Sequence, residues 1–591
     1  MTELSANARR VLDARYLRRD AAGRLVETPE ELFWRVARAV AQAEATLGSE
    51  LAAEKWSRVF HDLLTALDFL PNSPALMNAG APLGQLAACF VLPIDDTMES
   101  IFDALRAMAL VQRTGGGTGF SLSRLRPRGD PLESTGGQAS GPVSFMRIFD
   151  SATENIKQGG RRRGANMAVL RVDHPDIVEF VDAKLDGQSF RNFNLSVGVT
   201  DRFMQAAETD ARYELIHPGT ARATASVSAR QVFDRLAEAA WRSGDPGVVF
   251  LDEMNRRNPT PGLGSFETTN PCGEVPLLPY ESCVLGSINM AHMVRETGPA
   301  PDVDWERLRH AVHVGVRFLD DMIEVNREPL PAVGEITRAN RKIGLGVMGF
   351  AEALIRLGVS YASEEAIVWA DRLMVFIAGE AHQASRALAA ERGVFPNWSR
   401  SVHAARGDRL RNASLLSIAP TGTLSLIAGT TGGIEPLFAL AYRRAHSLGG
   451  EPLAEINPVV LRLLRQHRPD GERLRDEILS RGRLRDVPGV PDDVRRRFVT
   501  ATELPPRQHL ALQHAFQRHV DNAVSKTINL PDDATVADVA DTYRQAWRLG
   551  LKGVTIYRCG SKDSQVLTLG AGEDLAAREL YAKCDPGACR L

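Results

Sequence analysis

Five consecutive residues, Asn270-Pro271-Cys272-Gly273-Glu274, place a thiol between an amide and a carboxylate. The proline before the cysteine and the glycine after it are incompatible with a helix and predict a tight, exposed turn. Side chains two positions apart in an extended or turning backbone can face one site, so Asn270, Cys272 and Glu274 can converge on one small substrate. The alternative for so short a pattern is a loop that carries an incidental buried cysteine.

The chain contains six cysteines, too few for a disulfide scaffold in 591 residues. In a reducing compartment such thiols are catalytic, metal-binding or inert. Cys283 follows Cys272 by eleven residues, and Cys89 lies in a short apolar run where a lone cysteine is most often a small buried hydrophobe. Cys584 and Cys589 flank a Pro-Gly pair and can close on each other, whereas a zinc site would need further ligands.

Several loops are suited to anionic ligands. Ile418–Ser425 interleaves glycine with small hydroxyl residues between a predicted strand and a predicted helix, which favours an anion site. Ser73 lies on a proline-bounded turn, and the alternative for its hydroxyl is a simple local turn bond. The glycine-rich Thr114–Phe120 lacks the lysine of a P-loop but permits close backbone approach to a ligand. The basic Lys157–Asn166 is either a phosphate- or RNA-binding loop or a solvated flexible loop.

The elements that must position these residues belong to a large folded chain. With 44% hydrophobic residues it can bury one large core or two to three smaller ones. A net charge of −2 does not favour a bulk nucleic-acid binder. Neither a membrane-span pattern nor a signal-peptide pattern is present, so we expect a soluble cytoplasmic protein.

The predicted elements alternate in type. Strands at Ala168–Val172 and Phe193–Val199, separated by a helix at Pro175–Lys184, favour an α/β barrel. Residues 1 to about 68 are predicted helical, 302–326 form an amphipathic helix, and another long helix starts at Ser363 and stops before Gly393. The charged segment 446–510 is predicted to be helical. These last helix predictions concern scaffold rather than chemistry.

The run Asn270–Asn289 resembles the finger loop of ribonucleotide reductases, in a form close to that of the adenosylcobalamin-dependent (class II) enzymes. The likeness covers roughly residues 5–591, and its further motifs are Pro93–Phe102, Gly429–Phe438, His519–Pro531 and Gly550–Ser561. The resemblance implies an α/β fold: a ten-stranded α/β barrel over 71–563 with a catalytic finger loop. It also implies a helical N-terminal region over 1–70 without an ATP cone, and a flexible redox tail over 564–591.

The resemblance also implies the chemistry, which is removal of the ribose 2′-hydroxyl through a radical at C3′. Cys272 maps onto the thiyl radical, Glu274 onto the general base, and Asn270 onto the amide that holds the substrate hydroxyl and the developing carbonyl. Cys89 and Cys283 map onto the redox pair that supplies two electrons by forming a disulfide.

The remaining implied roles fall into three groups. The C-terminal shuttle cysteines are Cys584 and Cys589. The substrate-binding residues are Ser73, Ala88, Gly117, Pro420, Thr421, Gly422, Thr423 and Ser425. The effector and specificity residues are Asp96, Arg126, Arg161, Arg162 and Arg163. Ala88 stands where some relatives have a hydroxyl, and Cys559 matches no family role.

The implied radical source is adenosylcobalamin, because a single Tyr557 stands where class I enzymes carry two adjacent tyrosines. The implied partners are a ribonucleotide substrate, a deoxynucleotide effector, a thioredoxin-like reductant and a second copy in a homodimer. Likeness to dimeric members favours diphosphate over triphosphate substrates, and no metal site made of side chains is expected. The alternatives are a class I large subunit that needs a radical-generating partner, and a non-catalytic nucleotide- or RNA-binding protein with dispensable cysteines.

Overall fold

A computed structural model of the chain describes residues 4–132, 136–158, 162–298, 300–448, 451–457, 460, 471–485, 487–488, 490–561 and 567–569. The predictions on Arg161, Cys584 and Cys589 lie outside these residues. Within them, no helix is both long enough and apolar enough to cross a membrane.

The helices alternate with strands through most of the described chain. They are α1 (Ala6–Arg15), α2 (Pro29–Leu47), α3 (Glu50–Thr65), α4 (Ser73–Asn78), α5 (Met98–Arg113), α6 (Pro142–Asn155), α7 (Ile177–Asp182), α8 (Asp201–Glu208), α9 (Ala229–Ser243), α10 (Leu251–Arg256), α11 (Trp305–Val325), α12 (Pro331–Asn340), α13 (Phe350–Arg356), α14 (Glu364–Arg392), α15 (Val402–Ala405), α16 (Leu424–Ala428), α17 (Gly471–Arg481), α18 (Asp492–Arg497), α19 (Pro506–Gln517) and α20 (Val536–Arg548).

The strands are β1 (Phe69–Pro71), β2 (Cys89–Val91), β3 (Gly117–Ser121), β4 (Lys157–Gln158), β5 (Arg162–Arg163), β6 (Asn166–Arg171), β7 (Phe193–Val199), β8 (Arg212–Ile216), β9 (Ala223–Ser228), β10 (Gly247–Phe250), β11 (Thr268–Thr269), β12 (Pro276–Leu277), β13 (Ser282–Asn289), β14 (Val294–Arg295), β15 (Asp302–Val303), β16 (Ile343–Met348), β17 (Ala441–Leu448), β18 (Glu451–Ile456), β19 (Thr527–Leu530), β20 (Gly553–Arg558) and β21 (Leu567–Leu569).

Ten strands form one sheet, in which nine strands make two parallel halves and β1 pairs antiparallel with β13. In the first half β2, β3, β6, β7 and β10 are parallel neighbours. In the second half β13 is parallel to β16, and β19 is parallel to β20. Parallel bridges from Leu345 to Leu416 and from Ile418 to Val524 connect β16 towards β19. The halves meet antiparallel where β10 pairs with β20 and where β2 pairs with β13, so the sheet closes into the predicted barrel.

The helical N-terminal region packs on this barrel through aromatic side chains. Phe318 of α11 makes edge contacts with Phe60 of α3 and with Phe69 of β1, with ring centroids 4.9 and 5.4 Å apart. The predicted scaffold helices are confirmed: α14 starts after Ser363, whose side chain accepts a hydrogen bond from the Ala366 amide, and it ends at Arg392, before Gly393. Side-chain capping and a C-terminal glycine are the signals that made these boundaries predictable.

The helical prediction for 446–510 is wrong at its start. β17 and β18 form an antiparallel hairpin there, β21 pairs with β17 on its other side, and helices begin only at α17. The glycine pair Gly449-Gly450 between the two strands is a hairpin signal. The charged and Arg-rich composition of the segment obscured that signal.

Candidate active site

The finger loop is a short hairpin whose arms are β11 and β12, paired antiparallel. At its tip the Gly273 amide donates to the Asn270 carbonyl over 3.0 Å, which closes the predicted tight turn. Asn at the first, Pro at the second and Gly at the fourth position are the residues that such a turn favours. Gly273 has a φ of +84°, a backbone conformation that glycine adopts without strain. The sequence therefore fixes where Cys272 lies, at the third position of the turn.

Two glycines of β3 make room for this hairpin. A Cβ added at Gly119 would lie 1.8 Å from the Thr269 carbonyl oxygen, and one at Gly117 would lie 2.9 Å from the Pro271 ring. Asn194 of β7 donates its side-chain amide to the Pro271 carbonyl over 2.7 Å. The glycine-rich run thus approaches the chain's own finger loop, a role that sequence reasoning missed for both glycines. The alternation Gly-x-Gly in one strand is the signal that could have revealed it.

The opposite half of the barrel holds the other side of the hairpin. The Glu274 carbonyl accepts hydrogen bonds from the Ala523 amide over 2.8 Å and from the Ser417 hydroxyl over 3.0 Å. Both donors lie in the second parallel half, next to the bridges that close the sheet. Hydrogen bonds from both halves of the barrel fix the position of the hairpin tip inside it. No local sequence pattern predicted the contacts of Ser417 or Ala523.

Asn270 and Glu274 are both 2% exposed, whereas Cys272 between them is exposed. The Asn270 side chain accepts from the Val275 amide over 3.0 Å and donates to the Cys89 sulfur over 3.1 Å. Burial raises the pKa of Glu274 to about 7, although hydrogen bonding with the Asn270 side chain opposes that rise. Glu274 Oε2 is buried without a hydrogen-bond partner. A carboxyl with one oxygen unoccupied and a pKa near neutrality is suited to general base catalysis.

Cys89 and Cys283 face each other directly across the antiparallel junction of β2 and β13. Direct partners in such a ladder have Cα atoms about 4.5–5.5 Å apart, within the range that a disulfide spans. Both thiols are buried. Burial raises the pKa of each well above its usual value, and the charge of nearby Glu274 adds to the rise at both. The structure therefore brings the predicted redox pair together, as protonated thiols beside the finger loop.

A buried ion pair that sequence reasoning missed lies behind Cys283. Lys342 donates to Glu281 over 2.7 Å, and the pair is almost entirely inaccessible to solvent. Glu281 also accepts from the Asn340 side chain over 2.7 Å and from the Leu278 amide over 2.8 Å. A buried carboxylate needs this many donors to offset its desolvation. This hydrogen-bonded pair lies next to β13 and stabilises the position of Cys283 in that strand.

The candidate phosphate loop follows the bridge at Ile418, but it differs from the expected helix terminus. The helix α16 has only five residues, so it contributes little dipole. Thr421 adopts a φ of +48°, and its hydroxyl accepts from the Gly433 amide over 2.8 Å. A Cβ at Gly432 would lie 2.7 Å from the Pro420 carbonyl oxygen. The Thr421 hydroxyl thus shapes the loop, and exposed Gly422 marks its open face.

The other predicted substrate residues border the same region or the thiols. Ser73 is the first residue of α4 rather than part of a free turn, because the Asn72 side chain caps that helix. Its hydroxyl lies 2.8 Å from the hydroxyl of Tyr16. Ala88 donates its amide to the Cys283 carbonyl and accepts from the Gly117 amide over 2.8 Å, so its backbone links the redox strands to β3.

Two of the predicted effector residues follow strands of the barrel: Asp96 comes after β2 and Arg126 after β3. Arg126 binds Asp96 through its side chain, at 2.6 Å, and through its amide. A neighbouring pair, Arg124 with Asp95, extends to Glu267 over 2.7 Å, next to the start of the finger hairpin. β4 and β5 form a small antiparallel hairpin that carries Arg162 and Arg163 at its second strand. The ion pairs of Arg124 thus link Asp95, the neighbour of Asp96, to Glu267 at the start of the finger hairpin.

A closed barrel with a thiol on a central hairpin and two thiols facing each other in its wall is suited to an oxidoreductase, because paired thiols can supply two electrons by forming a disulfide. The sequence family described as "Ribonucleotide reductase, barrel domain" matches residues 87–409 and 404–557, and "Ribonucleotide reductase, all-alpha domain" matches residues 2–84. The chain belongs to the ribonucleotide reductases. It therefore reduces ribonucleotides, and a non-catalytic nucleotide- or RNA-binding role does not describe it.

Two relatives show where in the family it falls. The chain is 53% identical to a vitamin B12-dependent ribonucleoside-diphosphate reductase of Mycobacterium tuberculosis, covering 100% of this chain and 84% of the relative. It is 44% identical to the protein of the same name in Thermoplasma acidophilum, covering 97% and 81%. A class Id ribonucleotide reductase alpha subunit of Actinobacillus ureae shares the fold, with a TM-score of 0.76 at 23% identity over 94% of this chain and 97% of that one. The two named relatives favour a B12-dependent reductase over the class I large subunit.

Proposed function

We propose that the chain reduces ribonucleoside diphosphates to 2′-deoxyribonucleoside diphosphates with adenosylcobalamin as its radical source. The observation that carries the proposal is the exposed Cys272 at the tip of a hairpin inside the barrel, between a buried amide and a buried carboxyl with a pKa of about 7. The relatives at 53% and 44% identity are named vitamin B12-dependent ribonucleoside-diphosphate reductases, which supports a diphosphate substrate and a cobalamin cofactor.

The residues around the finger tip fit the approach of a large cofactor. Cys272 is exposed, and a Cβ built at Gly273 would meet no atom within 4 Å, so the tip faces open space. Cys272 and Gly273 are thus the residues that would face adenosylcobalamin. When bound, the cofactor would supply a radical that can take the hydrogen atom of the Cys272 thiol, which would leave a thiyl at that sulfur.

Substrate activation uses the three residues of the finger tip. The Cys272 thiyl takes the hydrogen atom from C3′, while Glu274 takes the proton of the 3′-hydroxyl through its unoccupied oxygen. The Asn270 amide holds the hydroxyl as it gains carbonyl character. Both flanking side chains are buried, which keeps water from competing for these hydrogen bonds.

Reduction uses the pair in the barrel wall. The raised pKa values of Cys89 and Cys283 keep both thiols protonated, so one can donate the proton with which the 2′-hydroxyl leaves as water. The two thiols then supply two electrons and two protons in total and become one disulfide. The C2′–O bond breaks, a C2′–H bond forms, and Cys272 recovers its thiyl by returning a hydrogen atom to C3′. Ribonucleotide and dithiol thus become deoxyribonucleotide, disulfide and water.

The remaining assignments complete the proposal. The substrate phosphates bind at Ser73 and the Pro420–Ser425 loop, and a deoxynucleotide effector binds near Asp96 and Arg126, acting on base choice through Arg161–Arg163. The physiological assembly is a homodimer in the cytoplasm, where thiols remain reduced. The proposed domains are a helical region over 1–70, a barrel over 71–563 and a redox tail over 564–591.

A single assay tests the proposal. The purified chain, given a ribonucleoside diphosphate, adenosylcobalamin and dithiothreitol but no second protein, is expected to form the matching deoxynucleotide. Omission of adenosylcobalamin is the control and should leave no product. Activity that appears only when a metal-containing partner protein is added would replace this proposal with the class I mechanism.

The tail cysteines give a prediction that separates two reductants. Cys89 and Cys283 are buried, so a folded protein reductant cannot reach their disulfide, whereas a small dithiol can. Replacing both Cys584 and Cys589 with serine should leave turnover with dithiothreitol within about two-fold, since only the protein-mediated route depends on exchange through these thiols. The same variant should stop after a single turnover with thioredoxin. Equal losses with both reductants would point to a structural role, and no loss with either would leave the tail without a redox function.

A further inference from the structure

The C-terminal end of α1 contacts both elements of the candidate phosphate site. Arg15, in the last turn of α1, donates from its guanidinium to the Thr423 hydroxyl of the phosphate loop over 3.4 Å. The next residue, Tyr16, places its hydroxyl 2.8 Å from that of Ser73 at the start of α4. Two adjacent residues thus connect the start of α4 with the phosphate loop, which lie more than 300 positions apart in the sequence.

The phosphate site otherwise lacks positive charge on the elements that define it. Neither Ser73 nor any side chain of Pro420–Ser425 is charged, and the short α16 adds little dipole. Thr421 already uses its hydroxyl to hold the Gly433 amide. A diphosphate carries several negative charges and is held best by a guanidinium, whose N–H groups match pairs of phosphate oxygens. Arg15 supplies the cation that the loop itself does not contain.

The local packing allows Arg15 to serve this role without rearrangement of α1. Tyr16 is buried, and its backbone amide continues the helix by donating to the Leu12 carbonyl, so the position of the helix end is fixed. Arg15 is only half-buried, which leaves part of its side chain towards solvent. Gly422, beside Thr423, has no atom within 4 Å of a built Cβ, so open space lies in front of the loop.

We infer that α1 forms the third wall of the phosphate site, with Arg15 binding the terminal phosphate of the substrate and Tyr16 orienting the Ser73 hydroxyl. This inference rests on the proposed function and adds a substrate preference to it. A nucleotide with a second phosphate reaches Arg15, whereas a monophosphate is held by the loop and Ser73 alone. Arg15 is therefore a determinant of substrate specificity and takes no part in the radical steps.

The test compares CDP with CMP in the cobalamin-dependent assay and in equilibrium binding by calorimetry. Arg15→Ala should raise the KM for CDP and weaken CDP binding by about 10- to 100-fold, the range for loss of one charge-assisted hydrogen-bonded contact, with kcat changed by less than about three-fold. Binding of CMP should change by less than about three-fold. Arg15→Lys should recover part of the CDP affinity, because lysine keeps the positive charge but cannot make the paired hydrogen bonds of a guanidinium.

Arg9→Ala, which removes an exposed cation from the same helix, is the matched control and should leave both affinities unchanged. If Arg15→Ala disturbs the packing of α1, seen as a lower thermal midpoint, the affinities are measured on Arg15→Gln, which keeps most of the side-chain length but removes the charge. Unchanged CDP affinity in a folded Arg15 variant, or equal losses for CDP and CMP, would overturn the inference. Failure of the unmodified chain to reduce any ribonucleotide would instead overturn the proposed function, so the two failures are distinguishable.

Discussion

Cys272→Ser should abolish deoxynucleotide formation, with a loss of at least about 10⁴-fold, equivalent to a barrier raised by about 5.5 kcal/mol. A serine hydroxyl has a far stronger bond to hydrogen than a thiol, so it cannot become the hydrogen-abstracting radical. The side chain is exposed at a turn whose backbone is held by Pro271, Gly273 and the Asn270 carbonyl, so the substitution should not disturb the fold. The measurement is product formed from CDP with adenosylcobalamin and dithiothreitol.

Two controls make this result interpretable. Cys559→Ser removes a half-buried thiol with no proposed role, and this variant should keep full activity. Binding of CDP to the Cys272→Ser variant should match that of the unmodified chain, because Cys272 is not part of the phosphate site. Turnover by Cys272→Ser above the contamination level of the preparation would falsify the assignment of the radical to this residue.

Glu274→Gln should lower kcat by about 10²- to 10⁴-fold, the range for loss of a general base. The pKa of Glu274 is about 7, so the unmodified enzyme should show an ascending pH limb near that value as the carboxylate forms. Below pH 7 the rate should fall about ten-fold per unit, as one proton blocks the base. Cys89 and Cys283, whose pKa values are raised by burial, should remain protonated and add no descending limb near neutrality.

The stability of the same variant provides the control. Burial raises the pKa of Glu274 above its unfolded value of 4.5, so the protonated carboxyl stabilises the fold in acid, and this contribution is lost as the pH rises through about 7. Glu274→Gln, which cannot ionise, should therefore unfold at the same temperature as the unmodified chain or higher at pH 8. A variant that is inactive and also less stable at pH 8 would mean that the substitution had damaged the fold. A pH limb near 7 that persists in the variant would assign the titration to another group.

The sequence alone determined the features that depend on local chemistry. Asn, Pro and Gly around Cys272 select a tight turn because each satisfies the backbone demands of its own position. Ser363 and Gly393 bound α14 because capping is decided within a few residues. The order and composition of the cysteine motifs were enough to identify the family, and with it the barrel. The helix prediction for 446–510 followed the charged, Arg-rich composition and overlooked the glycine pair. The hairpin of β17 and β18 was therefore missed.

Tertiary structure decided everything that joins residues distant in the chain. Gly119 lies against Thr269, and Ser417 and Ala523 hold Glu274, because barrel closure brings three separate segments of the chain around one hairpin. The raised pKa of Glu274 follows from burial, a property of the whole core that no pentapeptide specifies. Arg15 meets Thr423 across 408 positions for the same reason. Local sequence sets the backbone conformation. The burial of a side chain, the charges near it and its contacts are set by how the two halves of the barrel and the N-terminal helices pack around the site.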